Sequence, residues 1–210
     1  MKTLFSSTDR QPAEDSQADA SLYLQVRAVQ PQDLSEVAEI ISDSFHSREG
    51  TFGWAYPLLR LGIYEDLRNR LQNSAAHHVC LVAAYGSAKA NALGNSYVCS
   101  AQTLAGTVEM AVRPTVGLWG SNISKYPYLS NLAVHPRKRR RGIGEQLLLN
   151  CERIALDWGF HDIYLHVLEN NYQARQLYFK LGYRLYQIDA SWSSWLLGRP
   201  RQILLHKRLK

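Results

Sequence analysis

A run of five basic residues lies between an apolar segment and two glycines. The apolar segment ends at Pro136, residues 137–141 are all arginine or lysine, and Gly142 and Gly144 open an amphipathic segment with helical periodicity. Such a turn directs backbone N–H groups and the positive end of a helix dipole to one point, which suits a phosphate or pyrophosphate. Glycine also lets the chain approach a diphosphate where a Cβ would obstruct it. The turn is therefore predicted to bind phosphate.

The same basic run has two other interpretations. The chain carries a formal net charge of +6, and consecutive basic residues are also typical of nucleic-acid patches and localisation signals. The other alternative is a solvated turn with no ligand. The position of the run between a strand and a helix favours phosphate binding over nucleic acid, although outward-facing arginines could still contact an acidic partner.

Apolar periodicity predicts one mixed α/β sheet flanked by helices. The predicted element order is β-α-α-β-β-β-α-β-α-β-β, with a turn over residues 86–95 and a loop over 117–126. Residues 97–112 are predicted to form a hairpin-like pair, broken near Ala105 and Gly106. Gly159 and Gly182 are predicted to end helices. Strands are predicted over residues 23–28, 79–85, 128–134, 163–167, 183–188 and 202–207, and helices over 34–45, 55–71, 142–158 and 171–181.

Composition and length predict a soluble single domain. The chain has 210 residues, 46% of them hydrophobic, and its apolar runs are too short to predict a membrane span. Residues 1–20 are polar, lack a signal-peptide core and contain four acids, so we expect a disordered tail before a domain over 21–210. Cys80, Cys99 and Cys151 are widely spaced, which predicts neither a disulfide framework nor a zinc site and favours a cytoplasmic location.

Two motifs resemble the GNAT N-acetyltransferases. Arg139, Gly142 and Gly144 fit the pattern R/Q-x-x-G-x-G/A, and residues 171–183 fit N-x-x-A-x-x-L-Y-x-x-x-G-Y/F, in the family's order and spacing. The resemblance implies the GNAT fold, with a splayed strand pair in a mixed sheet, and acetyl-CoA as cosubstrate without a metal. The Leu-His-Val strand around His166 and the Gly-Arg-Pro-Arg-Gln-Ile-Leu-Leu ending are similar to the plastid and cyanobacterial protein acetyltransferases.

The resemblance also assigns cofactor contacts. Leu132 and Val134 would otherwise simply fill a buried strand, Gly142 would be an ordinary turn glycine, and Asn171 would only cap its helix. In the family, the backbone of the splayed strand binds the pantetheine amides while its side chains pack. The residues assigned to acetyl-CoA are Leu132, Ala133, Val134, Arg139, Arg140, Arg141, Gly142, Ile143, Gly144, Glu145, Asn171 and Tyr178.

Tyr178 and His166 are the predicted catalytic residues. The motif places the Tyr178 phenol near the cofactor sulfur, where a thiolate with a thiol pKa of about 8.5 can take its proton; the alternative is a packed core tyrosine. Some family members carry a glutamate on the strand over 128–134, which has none here. His166 stands where certain N-terminal acetyltransferases carry a basic carboxylate; the alternative is a structural sheet histidine. Glu109 is a weaker candidate base acting through water, and the Val134 N–H is a candidate oxyanion donor.

The acceptor is not fixed by the sequence, because this fold serves many amines. The aromatic residues in 52–56 and 192–195 are candidate walls of an acceptor channel, or else core or surface aromatics. The first hypothesis is an acetyltransferase of protein N-terminal α-amines, lysine side chains or both. The second is a small-amine acetyltransferase, for a polyamine or metabolite. The third is a non-catalytic module that senses acetyl-CoA or binds nucleic acid.

Overall fold

The computed structural model describes residues 22–45, 56–73, 76–90, 96–115, 124–189 and 200–210. Within them, seven strands form one mixed sheet in the order β1-β2-β3-β4-β5-β7-β6, in which β4 and β5 are parallel and all other neighbours are antiparallel. The predicted tail over residues 1–20 lies outside this range. The elements are β1 (Leu22–Ala28), α1 (Leu34–Phe45), α2 (Tyr56–Gln72), β2 (His78–Ala90), β3 (Ser96–Thr115), β4 (Ser124–Val134), α3 (Ile143–Asp157), β5 (Asp162–Leu168), α4 (Tyr172–Lys180), β6 (Arg184–Asp189) and β7 (Gln202–Arg208).

Helices cover the sheet on both faces. Leu81 and Ala83 of β2 pack in a core with the apolar stripe of α3, whereas Val82 and Ala84 pack in a second core with α1 and Leu67 of α2. Since alternate strand residues point to opposite faces, α3 lies on one face of the sheet and α1 with α2 on the other. The predicted element order, mixed sheet and flanking helices are confirmed.

Three predictions about the middle strands are wrong in whole or in part. Residues 97–112 form no hairpin, because β3 runs unbroken from Ser96 to Thr115. Gly106 pairs with Ala83 and Leu104 with Ala84, so Ala105 is an extra residue in β3, which is a β-bulge. The predicted turn over residues 86–95 is strand as far as Ala90, and the predicted loop over 117–126 is already strand from Ser124.

The predicted splayed strand pair is confirmed at β4 and β5. These strands are paired at Tyr128 with Tyr164 and at Leu129 with Leu165, and β4 then continues to Val134 without β5. Leu129 packs in the α3 core and Ala133 in the α1 core, although residues four apart in a regular strand share a face. The change of face occurs where the β3–β4 register shifts, and Asn131 there has a φ of 53°. The register shift at Asn131, a β-bulge in β4, therefore turns β4 away from β5.

The buried carboxylate of Glu109 on β3 holds this bulge. Its side chain is 2% exposed, and Oε2 accepts a hydrogen bond from Asn131 Nδ2 at 2.8 Å. Arg70 Nη1 and His78 Nε2 lie 2.8 and 2.7 Å from Oε1. Burial alone would raise the pKa of Glu109, but the hydrogen bonds from His78 and Arg70 outweigh burial and lower it to about 2. Glu109 is thus an anion that holds α2, β2 and β4 against β3.

Glu109→Gln should destabilise the fold, because one amide oxygen cannot accept from both sides of the carboxylate. We expect the free energy of unfolding at pH 7 to fall by about 3 kcal/mol. The folded pKa of about 2 lies below the ordinary 4.5, so this stabilisation is complete above pH 4.5 and is lost as the pH falls toward 2. Urea unfolding at pH 7, 4.5 and 3 should therefore show a steeper acid loss for the wild type. Parallel pH profiles would contradict the role of Glu109.

Candidate active site

Two adjoining cavities run along the gap between β4 and β5. The first, of about 550 Å³, reaches the N-terminus of α3, and the second, of about 680 Å³, reaches Tyr128, His166 and Tyr178. Among the described residues, four line both cavities: Ser44, Leu132, Asn171 and Ala174. The splay of β4 from β5 thus forms one continuous cleft with two chemically different ends.

The basic turn at the first end is shaped by backbone conformation and by two of its own side chains. A single 3₁₀ turn over Pro136–Lys138 follows β4, and Arg140 has a φ of 63°. Lys138 Nζ donates to the Leu104 carbonyl at 2.8 Å, and Arg139 Nε donates to the Val134 carbonyl at 3.2 Å. Lys138 is therefore tied to β3 and Arg139 to the end of β4, where both fix the turn.

The N-terminus of α3 presents open backbone amides to the first cavity. Gly142 is the N-cap, with a φ of 77° and no side chain to cap the helix, and the Gly142 carbonyl accepts from Gln146 N at 3.0 Å. The N–H groups of residues 143–145 therefore precede the first helical hydrogen bond. A Cβ built on Gly142 would meet no atom within 4 Å, so the space above the turn is open. This geometry fits the diphosphate of acetyl-CoA.

Close packing, not open space, explains the glycine at position 144. A Cβ at this position would lie 3.0 Å from Leu177 Cδ2 and 3.8 Å from Val134 Cγ2. Gly144 thus allows α3 to pack closely on α4, which brings Asn171 and the start of α4 beside the turn. The positive φ of 77° favours glycine at position 142, whereas close packing on Leu177 requires it at position 144. The approach of a diphosphate to these glycines stays a prediction.

The structure brings most of the predicted cofactor residues to the first cavity. Asn171 lines both cavities while its Oδ1 caps α4 by accepting from Ala174 N at 3.2 Å, so the predicted cap is confirmed and the cofactor contact stays a prediction. Arg141 does not line this cavity, and Tyr178 lines the second one. Glu145 forms an ion pair with Lys180 at 2.7 Å at the cavity wall. The lining residues from the predicted set are Leu132, Ala133, Val134, Arg139, Arg140, Gly142, Ile143, Gly144, Glu145 and Asn171.

At the other end of the cleft, His166 is hydrogen-bonded to a tyrosine that sequence reasoning missed. His166 Nδ1 lies 2.8 Å from the Tyr128 hydroxyl, and both residues are half-buried. The Arg113 guanidinium lies 3.7 Å from the centroid of the Tyr128 ring, which places a cation beside the pair. No local pattern marks Tyr128, because its contact depends on the parallel register that sets Tyr128 opposite Tyr164.

Tyr178 is buried in the wall of the second cavity. Its ring packs edge-on against Tyr183 with centroids 5.8 Å apart, and burial, with a smaller contribution from Tyr128, raises its pKa. The phenol therefore remains protonated across the working pH range. Tyr178 is thus a core residue, as the alternative interpretation held, that also lines the second cavity.

The predicted acceptor loops fall mainly outside the described residues. Residues 52–55 and 192–195 lie there, whereas Tyr56 begins α2 and its hydroxyl donates to Asp43 Oδ1. In the described part of the chain, His, Cys, Asp and Glu side chains form no group able to hold a metal ion. None of the described helices has the length and apolarity needed to cross a membrane.

Comparison with known proteins shows which family the chain matches. The chain matches the model of the acetyltransferase (GNAT) family over residues 45–183. It is 28% identical over 178 residues to GCN5-related N-acetyltransferase 10, chloroplastic, of Arabidopsis thaliana, covering 84% of this chain and 68% of the relative. It is 37% identical over 78 residues to GCN5-related N-acetyltransferase 7, chloroplastic, of the same plant, which covers 37% of this chain and 28% of that relative.

Solved structures show the same fold. PaiA N-acetyltransferase from Thermoplasma acidophilum in complex with coenzyme A has a TM-score of 0.60 at 20% identity, covering 89% of this chain and 99% of that one. Arabidopsis thaliana NAA60 in complex with a bisubstrate analogue has a TM-score of 0.59 at 17% identity, covering 90% of this chain and 99% of that one.

The names of the Arabidopsis relatives also bear on location. The predicted similarity to a plastid branch is consistent with these chloroplastic relatives. The prediction of a cytoplasmic location is wrong, because the same names point to a plastid.

Gly142→Asp should nearly abolish binding of coenzyme A, because it places a carboxylate in the open space above the helix N-terminus. We expect a loss of at least about 100-fold in affinity by calorimetric titration, since a like charge beside a diphosphate opposes binding. Gly142→Asn is the matched control, because asparagine has the same size and tolerates a positive φ without the charge. Equal affinities for the two variants would show that charge at this position does not matter.

Proposed function

Because this chain belongs to the acetyltransferase (GNAT) family, we propose that it transfers the acetyl group of acetyl-CoA to a primary amine of a protein or peptide. The observation that carries this proposal is the cleft between β4 and β5. One end of the cleft has uncapped helix amides beside arginines, and the other has the Tyr128–His166 pair with Tyr178. The first end suits a diphosphate and the second suits proton transfer.

The cofactor residues proposed at the first end follow from the cavity lining. The N–H groups at the start of α3 and the exposed side chain of Arg140 would hold the diphosphate, with Arg139 adding charge from its place on the Val134 carbonyl. The backbone of residues 132–134, which β5 does not pair, would bind the pantetheine amides. Arg141 would contribute charge from outside the cavity wall.

In the proposed reaction, the amine nitrogen attacks the thioester carbonyl carbon directly. The new C–N bond forms, the C–S bond breaks, the amine gives one proton to His166, and Tyr178 donates a proton to the leaving sulfur. For His166 to act as the base through Nε2, its Nδ1–H would donate to the Tyr128 hydroxyl oxygen, and this hydrogen bond would orient the imidazole. Glu109 is not part of this scheme, since three donors already use its carboxylate.

The raised pKa of Tyr178 is compatible with its role as general acid. Burial raises that pKa in the empty site, and a thiolate formed in the same surroundings would be desolvated as well. Both groups then hold a proton more tightly than in water, so transfer from the phenol to the sulfur remains possible. In the proposed reaction, the buried phenol also offers its proton where negative charge develops on the leaving sulfur.

The choice of a protein or peptide acceptor is suggested by the names of two fold neighbours, and a plastid location by the names of the Arabidopsis relatives. The fold neighbours include the ribosomal-protein-S18-alanine N-acetyltransferase of Escherichia coli, with a TM-score of 0.56 at 17% identity, and NAA60 with its bisubstrate analogue. The Arabidopsis relatives are chloroplastic by name. We propose the α-amines of protein N-termini, lysine side chains or both as acceptors.

The proposed function is tested by incubating the protein with acetyl-CoA and a panel of peptides and small amines, followed by mass spectrometry. We expect acetyl on peptide α-amines or lysines, and we expect Tyr178→Phe to lower turnover about 10- to 100-fold with nearly unchanged affinity for acetyl-CoA. Acetyl on small amines alone would favour a metabolic acceptor. Bound cofactor without acetyl on any amine would support a sensor, and a wild-type rate for Tyr178→Phe would remove the proposed acid.

His166→Ala should move the acid limb of the kcat/KM–pH profile to higher pH. Without a base in the site, the reaction depends on amine that is already neutral, and the pKa of an α-amine is about 8. Tyr128→Phe keeps the ring under Arg113 and removes the hydroxyl, so we expect a smaller loss of rate. Affinity for acetyl-CoA, measured in parallel, should stay unchanged in both variants. An unaltered profile in His166→Ala would return His166 to a structural role.

A further inference from the structure

The hydroxyl of Ser44 is buried without a partner at the point where the two cavities meet. Ser44 lies in the last turn of α1 and lines both cavities. Its Oγ has essentially no contact with solvent and makes no hydrogen bond within the described part of the chain. A buried donor without a partner loses its hydration and gains nothing in return. Such groups are rare in native proteins and require an explanation.

A second serine on the same helix shows what Ser44 does not do. Ser42 is fully buried and its Oγ donates to the carbonyl of Ala38, four residues earlier, at 2.7 Å. This is the ordinary way for a helical serine to satisfy its hydroxyl. The hydroxyl of Ser44 makes no such bond back along α1, although the same kind of carbonyl lies one turn before it. The hydroxyl of Ser44 therefore has no partner at the junction of the two cavities.

Ser44 differs from the other residues that line both cavities. Leu132 and Ala174 have apolar side chains, and the side-chain oxygen of Asn171 already accepts from Ala174 N. Ser44 therefore brings the one hydroxyl among the four residues shared by the cavities. A ligand that passes from the helix N-terminus to the Tyr128–His166 pair must cross this junction.

We propose that the Ser44 hydroxyl is a binding group for acetyl-CoA and donates a hydrogen bond to a carbonyl oxygen of the pantetheine arm or of the thioester. This inference rests on the proposed function, because it takes the direction of the cofactor along the cleft from it. Between the diphosphate and the reacting carbon, acetyl-CoA carries amide and thioester carbonyls, and each can accept from a hydroxyl. The bond compensates on binding for the hydration that Ser44 loses on folding.

The test is calorimetric titration of Ser44→Ala, Ser44→Thr and the matched control Ser42→Ala with acetyl-CoA and with coenzyme A. We expect Ser44→Ala to weaken acetyl-CoA binding about 5- to 10-fold, the amount of one net hydrogen bond. Ser42→Ala should stay within about twofold of the wild type, and Ser44→Thr, which keeps a hydroxyl, should restore most of the affinity. An equal loss for both ligands assigns the bond to a pantetheine amide, and a loss for acetyl-CoA alone assigns it to the thioester.

Thermal unfolding without ligand separates this role from a structural one. Ser44→Ala removes a buried donor that has no partner, so Tm should stay the same or rise, whereas Ser42→Ala removes a formed hydrogen bond and should lower Tm. A lower Tm for Ser44→Ala, wild-type affinity for both ligands, or a change confined to the KM of the acceptor would each overturn the proposal. Failure of the wild type to bind either ligand would instead refute the proposed function.

Discussion

The hydrogen bonds to the buried carboxylate of Glu109 on β3 tie side chains of three other elements to one point. Arg70 comes from α2, His78 from β2 and Asn131 from β4. A carboxylate this deeply buried requires donors on both oxygens, and Asn131 supplies one while its own backbone has a φ of 53°. That conformation marks the place where β4 changes face and leaves β5. The cleft therefore follows from the way one buried charge is satisfied.

The β-bulge at Asn131 also explains why β4 can contribute to both the core and a ligand site. The side chains of Leu132 and Val134 pack partly against the α3 core, and the same residues line the first cavity. In a regular sheet the backbone of this segment would be paired by β5. Because pairing stops after Leu129, backbone polar groups on that side are left for a ligand, while the side chains keep the strand in place. Packing and binding thus use different atoms of the same residues.

Local features of the chain were predictable, and features that depend on register were not. Three short-range patterns are present in the structure: the apolar stripe of α3, the glycine at its N-cap and the cap of α4 at Asn171. A bulge and a hairpin turn both interrupt alternation, so Ala105 and Gly106 predicted a turn where β3 has one extra residue. The roles of Tyr128 and Ser44 arise from contacts across the sheet and between α1 and the cleft, and neither residue stands in a motif.

The splay has a chemical consequence that a closed sheet could not provide. Leu129 and Leu165 face the α3 core, so Tyr128 and His166, an odd number of residues away, face the opposite side of the sheet. Tyr178 belongs to α4 and to the α3 core. Proposed base and proposed acid thus start on opposite faces, and the gap between β4 and β5 is the place where both can reach one thioester. Burial keeps the phenol protonated until a thiolate forms beside it, and the half-buried imidazole keeps partial contact with solvent.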